Sequence, residues 1–308
     1  MDIIIIGGGP AGISAALMAE SRGLNVLLIE EAVLCSNLFN VPYIEDLPYF
    51  DEEKLVGHKL SDLLIAKVNE HKLHVVYEKV TDLDVLENNR KKIITDKHVY
   101  YSKAVIIACG FKNKKIPIKD DQKFYGNGLS YCAPCDYMYY LNSPVLLAGS
   151  SEYAAKMALY LTSFVSQLYF VVNNNKFTAT EFIKKEIYKN KKIRIFFQHE
   201  LLSLDGKSKL EAVRIKSLGN NREVSLNVAA AFIYMDIEGN IEFLSNKKNG
   251  INLSDDQFII TDNLTETSVA GIYAIGTVRH GTMKRITAAT TDALTAVNEI
   301  QHYLYFLK

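Results

Sequence analysis

The sequence predicts an α/β chain made of two strand–helix–strand halves. Three observations predict it. An apolar run, Ile3 to Ile6, leads directly into the glycine-rich stretch Gly7-Gly8-Gly9-Pro10-Ala11-Gly12 and a helix of small residues. A second run, beginning at Val145, leads into Gly149 and another helix. The 48% hydrophobic residues of the 308-residue chain are enough to give each half a core of its own.

Taken in order, Ile3 to Ile6 reads as a buried first strand, Pro10 to Ser21 as a helix, and Asn25 to Ile29 as the strand that completes the first unit. Leu55 to His71 has helical spacing of apolar residues. Leu73 to Tyr77, Lys92 to Ile94 and Ala104 to Ala108 read as strands parted by polar turns, the last running into Gly110. The second unit runs from Val145, through a helix from about Ala154 to Ser163, to the strand Leu168 to Val172. A lysine-rich stretch, Lys184 to Arg194, precedes strands at Arg194 to Phe197, Ala212 to Lys216 and Ala229 to Tyr234. Gly271 to Gly276 follows, and a long helix from about Lys284 to Leu304 closes the chain. The two strand–helix–strand units form a coarse internal duplication.

Composition excludes some functions. Lys+Arg and Asp+Glu are equal at 35 each, so no global charge recruits nucleic acid or an anionic membrane. The opening apolar run is too short for a signal peptide and lacks a basic start. No segment approaches the roughly 20 apolar residues of a membrane span. A soluble, cytoplasmic protein is therefore expected. Of the four cysteines, Cys35 and Cys109 stand alone, while Cys132 and Cys135 share a recognisable spacing, which argues against a secretory disulfide framework.

Gly7, Gly9 and Gly12 give the Gly-x-Gly-x-x-Gly pattern after a strand and at the opening of a helix, the context a dinucleotide site requires. Gly7 permits a tight turn, Gly9 leaves room for a pyrophosphate, and Gly12 lets helix and strand pack closely. Pro10 and Ala11 open the helix, whose N-terminus favours phosphate. Glu30, closing the second strand, is placed to accept hydrogen bonds from a ribose.

Tyr131-Cys132-Ala133-Pro134-Cys135-Asp136 sets two thiols three residues apart, close enough for a small disulfide ring and near an expected helix start whose dipole would favour a thiolate. A metal half-site would need two further ligands, and neither Cys35, Cys109 nor a histidine pair supplies them, so no metal is expected. Asp136 is placed to carry a proton during disulfide cleavage, or to serve only as a charge at a helix terminus.

On these motifs the sequence resembles the low-molecular-weight thioredoxin reductases over essentially its whole length. Ala108-Cys109-Gly110 stands where that family has Ala-Thr-Gly, Cys132 to Asp136 matches its Cys-x-x-Cys-Asp, and Gly271 to Gly276 matches the segment that closes its FAD site. The resemblance implies an α/β fold of two Rossmann-like (three-layer ββα/βαβ) nucleotide-binding domains, the second inserted in the first. A discontinuous FAD domain would span 1–112 and 243–308, and a degenerate NAD(P)H-type domain carrying the cysteines would span 113–242. It also implies that Cys135 faces the flavin, Cys132 attacks the substrate disulfide, and Asp136 is the acid/base. FAD contacts would come from Gly7, Gly9, Pro10, Ala11, Gly12, Glu30, Asn37, Ala108, Gly110, Gly276 and Thr277. The helix start at Arg285, Ile286 and Thr287 would point at the flavin pyrimidine.

Departures from that pattern bear on function. The family's second Gly-x-Gly-x-x-Ala is here Gly149-Ser150-Ser151-Glu152-Tyr153-Ala154, with a serine where backbone should approach pyrophosphate and an acid beside it. Its His-Arg-Arg run for the 2′-phosphate of NADPH is replaced by Asn173, Asn174 and Asn175, which are neutral. Gly276-Thr277 replaces Gly-Asp, and Cys35-Ser36-Asn37-Leu38 replaces Gly-Gly-Gln-Leu, so FAD is expected to bind with altered contacts. Cys35 is expected as a small packed residue.

The expectation is thus an FAD-dependent disulfide reductase, not using NADPH, that passes electrons from a protein donor, with ferredoxin as candidate, to a thioredoxin-like disulfide. The resemblance also implies a homodimer. Three other outcomes stay open at this level: a dithiol oxidase, an NAD(P)H-dependent reductase with a divergent site, and a redox-responsive binding module. Arg90-Lys91-Lys92 and Lys184 to Arg194 would steer an acidic donor or be solvated faces. The tyrosines 125, 131, 137, 139 and 140 would shield reduced flavin or fill an interface.

Overall fold

The computed structural model describes the chain apart from residues 40, 42–43, 45–46, 48–49, 51–54, 115–117, 119–120, 245–249 and 308. It divides into two compact units, Met1–Lys112 with Glu238–Lys308, and Asn113–Ile237.

The first unit opens with β1 (Ile3–Ile6), α1 (Pro10–Ser21) and β2 (Val26–Glu30). Then come α2 (Ser36–Phe39), α3 (Gly57–Glu70), β3 (Val75–Tyr77), β4 (Val80–Val85), β5 (Lys91–Thr95), β6 (Val99–Ser102) and β7 (Ala104–Ile107). The chain crosses at β8 (Phe111–Asn113) into the second unit. That unit contains α4 (Asp121–Phe124), β9 (Leu129–Ser130), α5 (Ala133–Asp136), β10 (Pro144–Ala148), α6 (Glu152–Thr162), β11 (Gln167–Val172) and α7 (Glu181–Lys189). It continues with β12 (Ile193–Phe197), β13 (His199–Asp205), β14 (Ala212–Ser217), β15 (Glu223–Asn227) and β16 (Ala230–Ile233). The return strand is β17 (Ile237–Gly239), which pairs with β8; β18 (Ile272–Ala274) and α8 (Ile286–Phe306) finish the first unit. The return lies ahead of the expected residue 243 because Ile241, Phe243 and Leu244 already pack into the first unit's core.

Each unit contains a five-stranded parallel sheet and a three-stranded antiparallel one. The parallel orders are β18-β7-β1-β2-β3 and β12-β11-β10-β16-β9; the antiparallel orders are β4-β5-β6 and β13-β14-β15. The α/β Rossmann-like class is therefore the fold. Layering follows from the alternation of strand side chains. Ile3 and Ile5 face a core shared with Ala15, Ala16 and Ala19 of α1 and Ala293, Ala296 and Val297 of α8. Ile4 and Ile6 face the other way, onto Leu83 of β4 and Ile93 of β5. In the second unit Leu146 and Ala148 of β10 pack with Val213, Ile215 and Leu226 of its antiparallel sheet.

The lysine-rich stretch hides a helix. Ile183 and Ile187, one turn apart, are buried while the lysines of α7 lie on other faces, an amphipathic pattern that the density of charge obscures. The edge strands of the antiparallel sheets were likewise not expected from the sequence, since their short alternating runs carry few apolar residues.

Candidate functional site

In the first unit the residues named for cofactor binding come together at the carboxyl ends of the parallel strands, where ligands of doubly wound sheets bind. Gly7, at φ +108°, lies so close to the β7 exit that a Cβ there would stand 2.5 Å from the Ala108 carbonyl oxygen. A Cβ on Gly12 would stand 1.9 Å from the Gly7 carbonyl oxygen, so both glycines are demanded by backbone packing. Gly9 differs: nothing lies within 4 Å of where its Cβ would be. That open space faces the start of α1, which has Pro10 in its first turn, no side-chain cap and no acidic residue there. Free N–H groups at a helix start, with positive potential and room above Gly9, fit a pyrophosphate.

Other named residues border this loop. A Cβ on Gly276 would come within 2.9 Å of Ala11 Cβ, and one on Gly110 within 3.4 Å of Thr277 Oγ1. Cys35 donates its N–H to the Gly8 carbonyl at 2.9 Å, bringing α2 and the exposed Asn37 beside the loop. Glu30 closes β2, and its carboxylate accepts the N–H of Gly8 at 2.6 Å and of Ala32 at 3.1 Å, leaving each oxygen a second lone pair. Arg285 is the N-cap of α8, with Ile286 and Thr287 in its first turn; the turn holds no acid.

One anchor in this region was missed from the sequence. Asp292, buried on the second turn of α8, accepts the Gly276 N–H at 2.9 Å and also pairs with Arg279, which donates to Thr261 Oγ1 as well. The pair fixes the turn bearing Thr277 to α8. The lone acid within the small-residue face of that helix was the available signal. Cys35, buried, and Cys109, half-buried, are free thiols that burial pushes up to about 12, which disfavours their thiolates at neutral pH.

The second unit carries the redox pair. Cys132 and Cys135 form a disulfide with Cα atoms 5.3 Å apart; Cys132 is half-buried and Cys135 exposed. Asp136 ends α5. Cys132 is the N-cap of α5, the helix start expected there, and a 3-10 turn over Tyr137–Tyr140 continues it. Of the tyrosines near the pair, Tyr137 packs on Phe164 at 4.2 Å and Tyr140 on Phe232 at 6.1 Å, whereas Tyr139 stays 81% exposed. Among the described residues no cluster of three or more His, Cys, Asp or Glu could hold a metal ion, and no helix is long and apolar enough to cross a membrane.

The second unit's own helix start is filled from within. Ser151 caps α6, its hydroxyl accepting the Ala154 N–H at 3.1 Å, and Glu152 occupies the first turn. Glu152 also pairs with Lys156 one turn later at 3.2 Å. The expected basic clusters are partly consumed inside the chain. Lys91 is buried, with Nζ bound to the Asn89 carbonyl and Tyr303 hydroxyl, and Arg90 lies over the Tyr101 ring. Lys184 and Lys189 pair with Glu181 and Glu186, and Lys192 donates to the Thr162 carbonyl. Neither cluster is a continuous patch of free charge.

Comparison with known proteins gives the family. The family model described as pyridine nucleotide-disulphide oxidoreductase matches residues 1–293. The chain belongs to that family. It is an FAD flavoprotein with disulfide oxidoreductase chemistry. The thioredoxin reductase of Ureaplasma parvum is 29% identical over 98% of this chain and 96% of its own. A protein described as the 34.2 kDa protein in the rubredoxin operon of Clostridium pasteurianum is 27% identical over 99% and 97%. Among solved structures, the thioredoxin reductase of Lactococcus lactis superposes with a TM-score of 0.92 at 30% identity, covering 99% of both chains. That of T. acidophilum gives 0.91 at 25% identity over 100% of this flavoprotein and 99% of its own chain.

Proposed function

We propose that this flavoprotein is a thioredoxin-reductase-like enzyme that reduces a thioredoxin-like disulfide with electrons from a donor other than NAD(P)H, a protein of the ferredoxin kind. The observation that carries the proposal is the start of α6. Its Ala154 N–H is engaged by Ser151, and its first turn holds the carboxylate of Glu152, paired with Lys156, so an incoming pyrophosphate would displace a cap and crowd a carboxylate. Asn173, Asn174 and Asn175 supply no cation for a 2′-phosphate. The likeness to a protein of a rubredoxin operon supports a small protein carrier as donor.

FAD would be held by Gly7, Gly9, Pro10, Ala11, Gly12, Glu30, Asn37, Ala108, Gly110, Gly276, Thr277 and the first turn of α8 at Arg285, Ile286 and Thr287, and would supply the electron transfer between the donor and the Cys132–Cys135 disulfide. The protein's own steps lie in the second unit. In its reduced form Cys132 attacks one sulfur of the substrate disulfide, and the other substrate sulfur leaves as a thiolate that takes a proton by way of Asp136. Cys135 then attacks Cys132, the Cys132–Cys135 disulfide closes, and the second substrate sulfur leaves. The substrate gains two electrons and two protons; the cysteine pair loses them.

The test is steady-state reduction of thioredoxin with chemically reduced ferredoxin or NADPH as sole donor, using wild type, Cys132→Ser and Cys135→Ser. Turnover with ferredoxin, none with NADPH, and none in either variant is expected. Wild-type turnover with NADPH at an equal rate would overturn the donor assignment; undiminished turnover in the serine variants would overturn the site.

A further inference from the structure

Around the Cys132–Cys135 turn every backbone donor is already engaged. The Cys132 N–H donates to Ser130 Oγ at 3.0 Å, and the Ala133 N–H to the Tyr234 hydroxyl at 2.7 Å. Pro134 has no N–H, and the Cys135 N–H donates to the Cys132 carbonyl at 3.1 Å. The two side-chain acceptors are deep inside: Ser130 is 3% exposed and Tyr234 is 2% exposed. Neither hydroxyl is in a position to drift, because Ser130 ends β9 and Tyr234 follows β16, the strand paired with it.

Tyr234 is also braced by the altered nucleotide loop. Its N–H donates to the Ala148 carbonyl at 2.7 Å, and its ring meets Tyr153 edge-on at 5.4 Å. Tyr153 stands in Gly149 to Ala154, the stretch that departs from a dinucleotide loop. Burial pushes the Tyr234 phenol well above its usual range, so the group holding Ala133 stays a neutral hydroxyl.

We propose that Ser130 and Tyr234, the latter braced by Tyr153, are positioning residues that set the dithiol–disulfide balance of Cys132 and Cys135 by holding two backbone N–H groups away from the reduced sulfurs. This rests on the reading of that pair as the redox pair. The physical argument is a difference between redox states. A thiolate is a charged, strong acceptor, whereas a disulfide sulfur is a poor one. A released Ala133 N–H would therefore pair with the reduced turn and go unpaired, buried, in the oxidised turn. Removing the Tyr234 hydroxyl favours the dithiol and makes its reacting thiol more acidic. The wild-type arrangement withholds that help, which keeps the reduced pair a stronger electron donor to a substrate disulfide. The degenerate loop thus acquires a use: it supports the redox turn where its relatives' loop would receive a nucleotide.

The test equilibrates flavin-loaded wild type, Tyr234→Phe and Ser130→Ala anaerobically with mixtures of reduced and oxidised dithiothreitol. Reduced dithiothreitol passes two electrons and two protons to the Cys132–Cys135 disulfide and closes its own ring. Acid quenching, alkylation and mass measurement count the dithiol fraction. For Tyr234→Phe the midpoint should move about tenfold toward the dithiol, and the pH at which the reduced pair alkylates should fall. Ser130→Ala should move both in the same direction, and it carries the test by itself should Tyr234→Phe lose the wild-type circular dichroism. An unchanged midpoint and an unchanged pH profile in the folded variants overturn the inference. A wild-type pair that never exchanges with the buffer overturns the redox reading beneath it, a distinct result.

Discussion

Two helix starts in this molecule occupy the same place in the same topology and have opposite chemistry. α1 follows β1 and α6 follows β10, each strand lying at the centre of a five-stranded parallel sheet. The start of α1 is bare: no capping side chain, no acid, and open space at Gly9. The start of α6 is capped by Ser151 and carries the carboxylate of Glu152, which pairs with Lys156. The contrast teaches that a duplicated fold does not duplicate a ligand site. Sheet order is set by buried apolar strands, while phosphate competence depends on a few side chains in one turn, and those can change without disturbing the core.

The largest expected effect breaks the open start. Gly9→Glu places a carboxylate at the mouth of α1 where no atom opposes it, so the protein should fold and be purified without flavin colour, as absorbance of the purified protein will report. The same charge at Ser151, as Ser151→Glu, should leave flavin content at the wild-type level. Equal loss in both would erase the distinction between the two starts.

A middle-sized effect sharpens the other side. Ser151→Ala removes the hydroxyl that accepts the Ala154 N–H, and should lower unfolding free energy by about 1 kcal/mol in chemical denaturation. Millimolar NADPH should restore none of that loss. Recovery on adding NADPH would mean that a nucleotide phosphate is the cap's natural competitor.

The smallest effect lies beside the flavin half, where Glu78 donates its backbone N–H to the Glu30 carbonyl. Burial tends to raise its carboxyl, but hydrogen bonds from Thr95, His98 and Tyr100 prevail and hold it below its ordinary value. A lowered folded value means stability present above the unfolded value and lost as pH falls through the folded one. Wild-type Tm should therefore decline more steeply than that of Glu78→Gln as pH drops below roughly 4.3. Parallel declines in a melting series would remove Glu78 as the cause.

What the sequence disclosed follows from the range of the interactions involved. Gly7, Gly9 and Gly12, Pro10 to Ser21, and the pair Cys132–Cys135 are local patterns, and spacing alone exposes them. The departure at Ser151 and Glu152 was equally visible as residue types, though the cap geometry needed the fold. The Tyr234–Ala133 hydrogen bond joins residues 101 apart, and the Arg279–Asp292 pair depends on a turn packing against α8; neither leaves a periodic trace. Helix α7 was hidden because its polar face is nearly all lysine and glutamate, so only Ile183 and Ile187 mark it.

The most direct measurement of the central claim is anaerobic absorbance spectroscopy of the flavin on adding NADPH, with chemically reduced ferredoxin in a parallel cuvette. The closed start of α6 predicts that NADPH leaves the flavin oxidised over the time in which reduced ferredoxin bleaches it. Rapid and complete bleaching by NADPH would contradict the account.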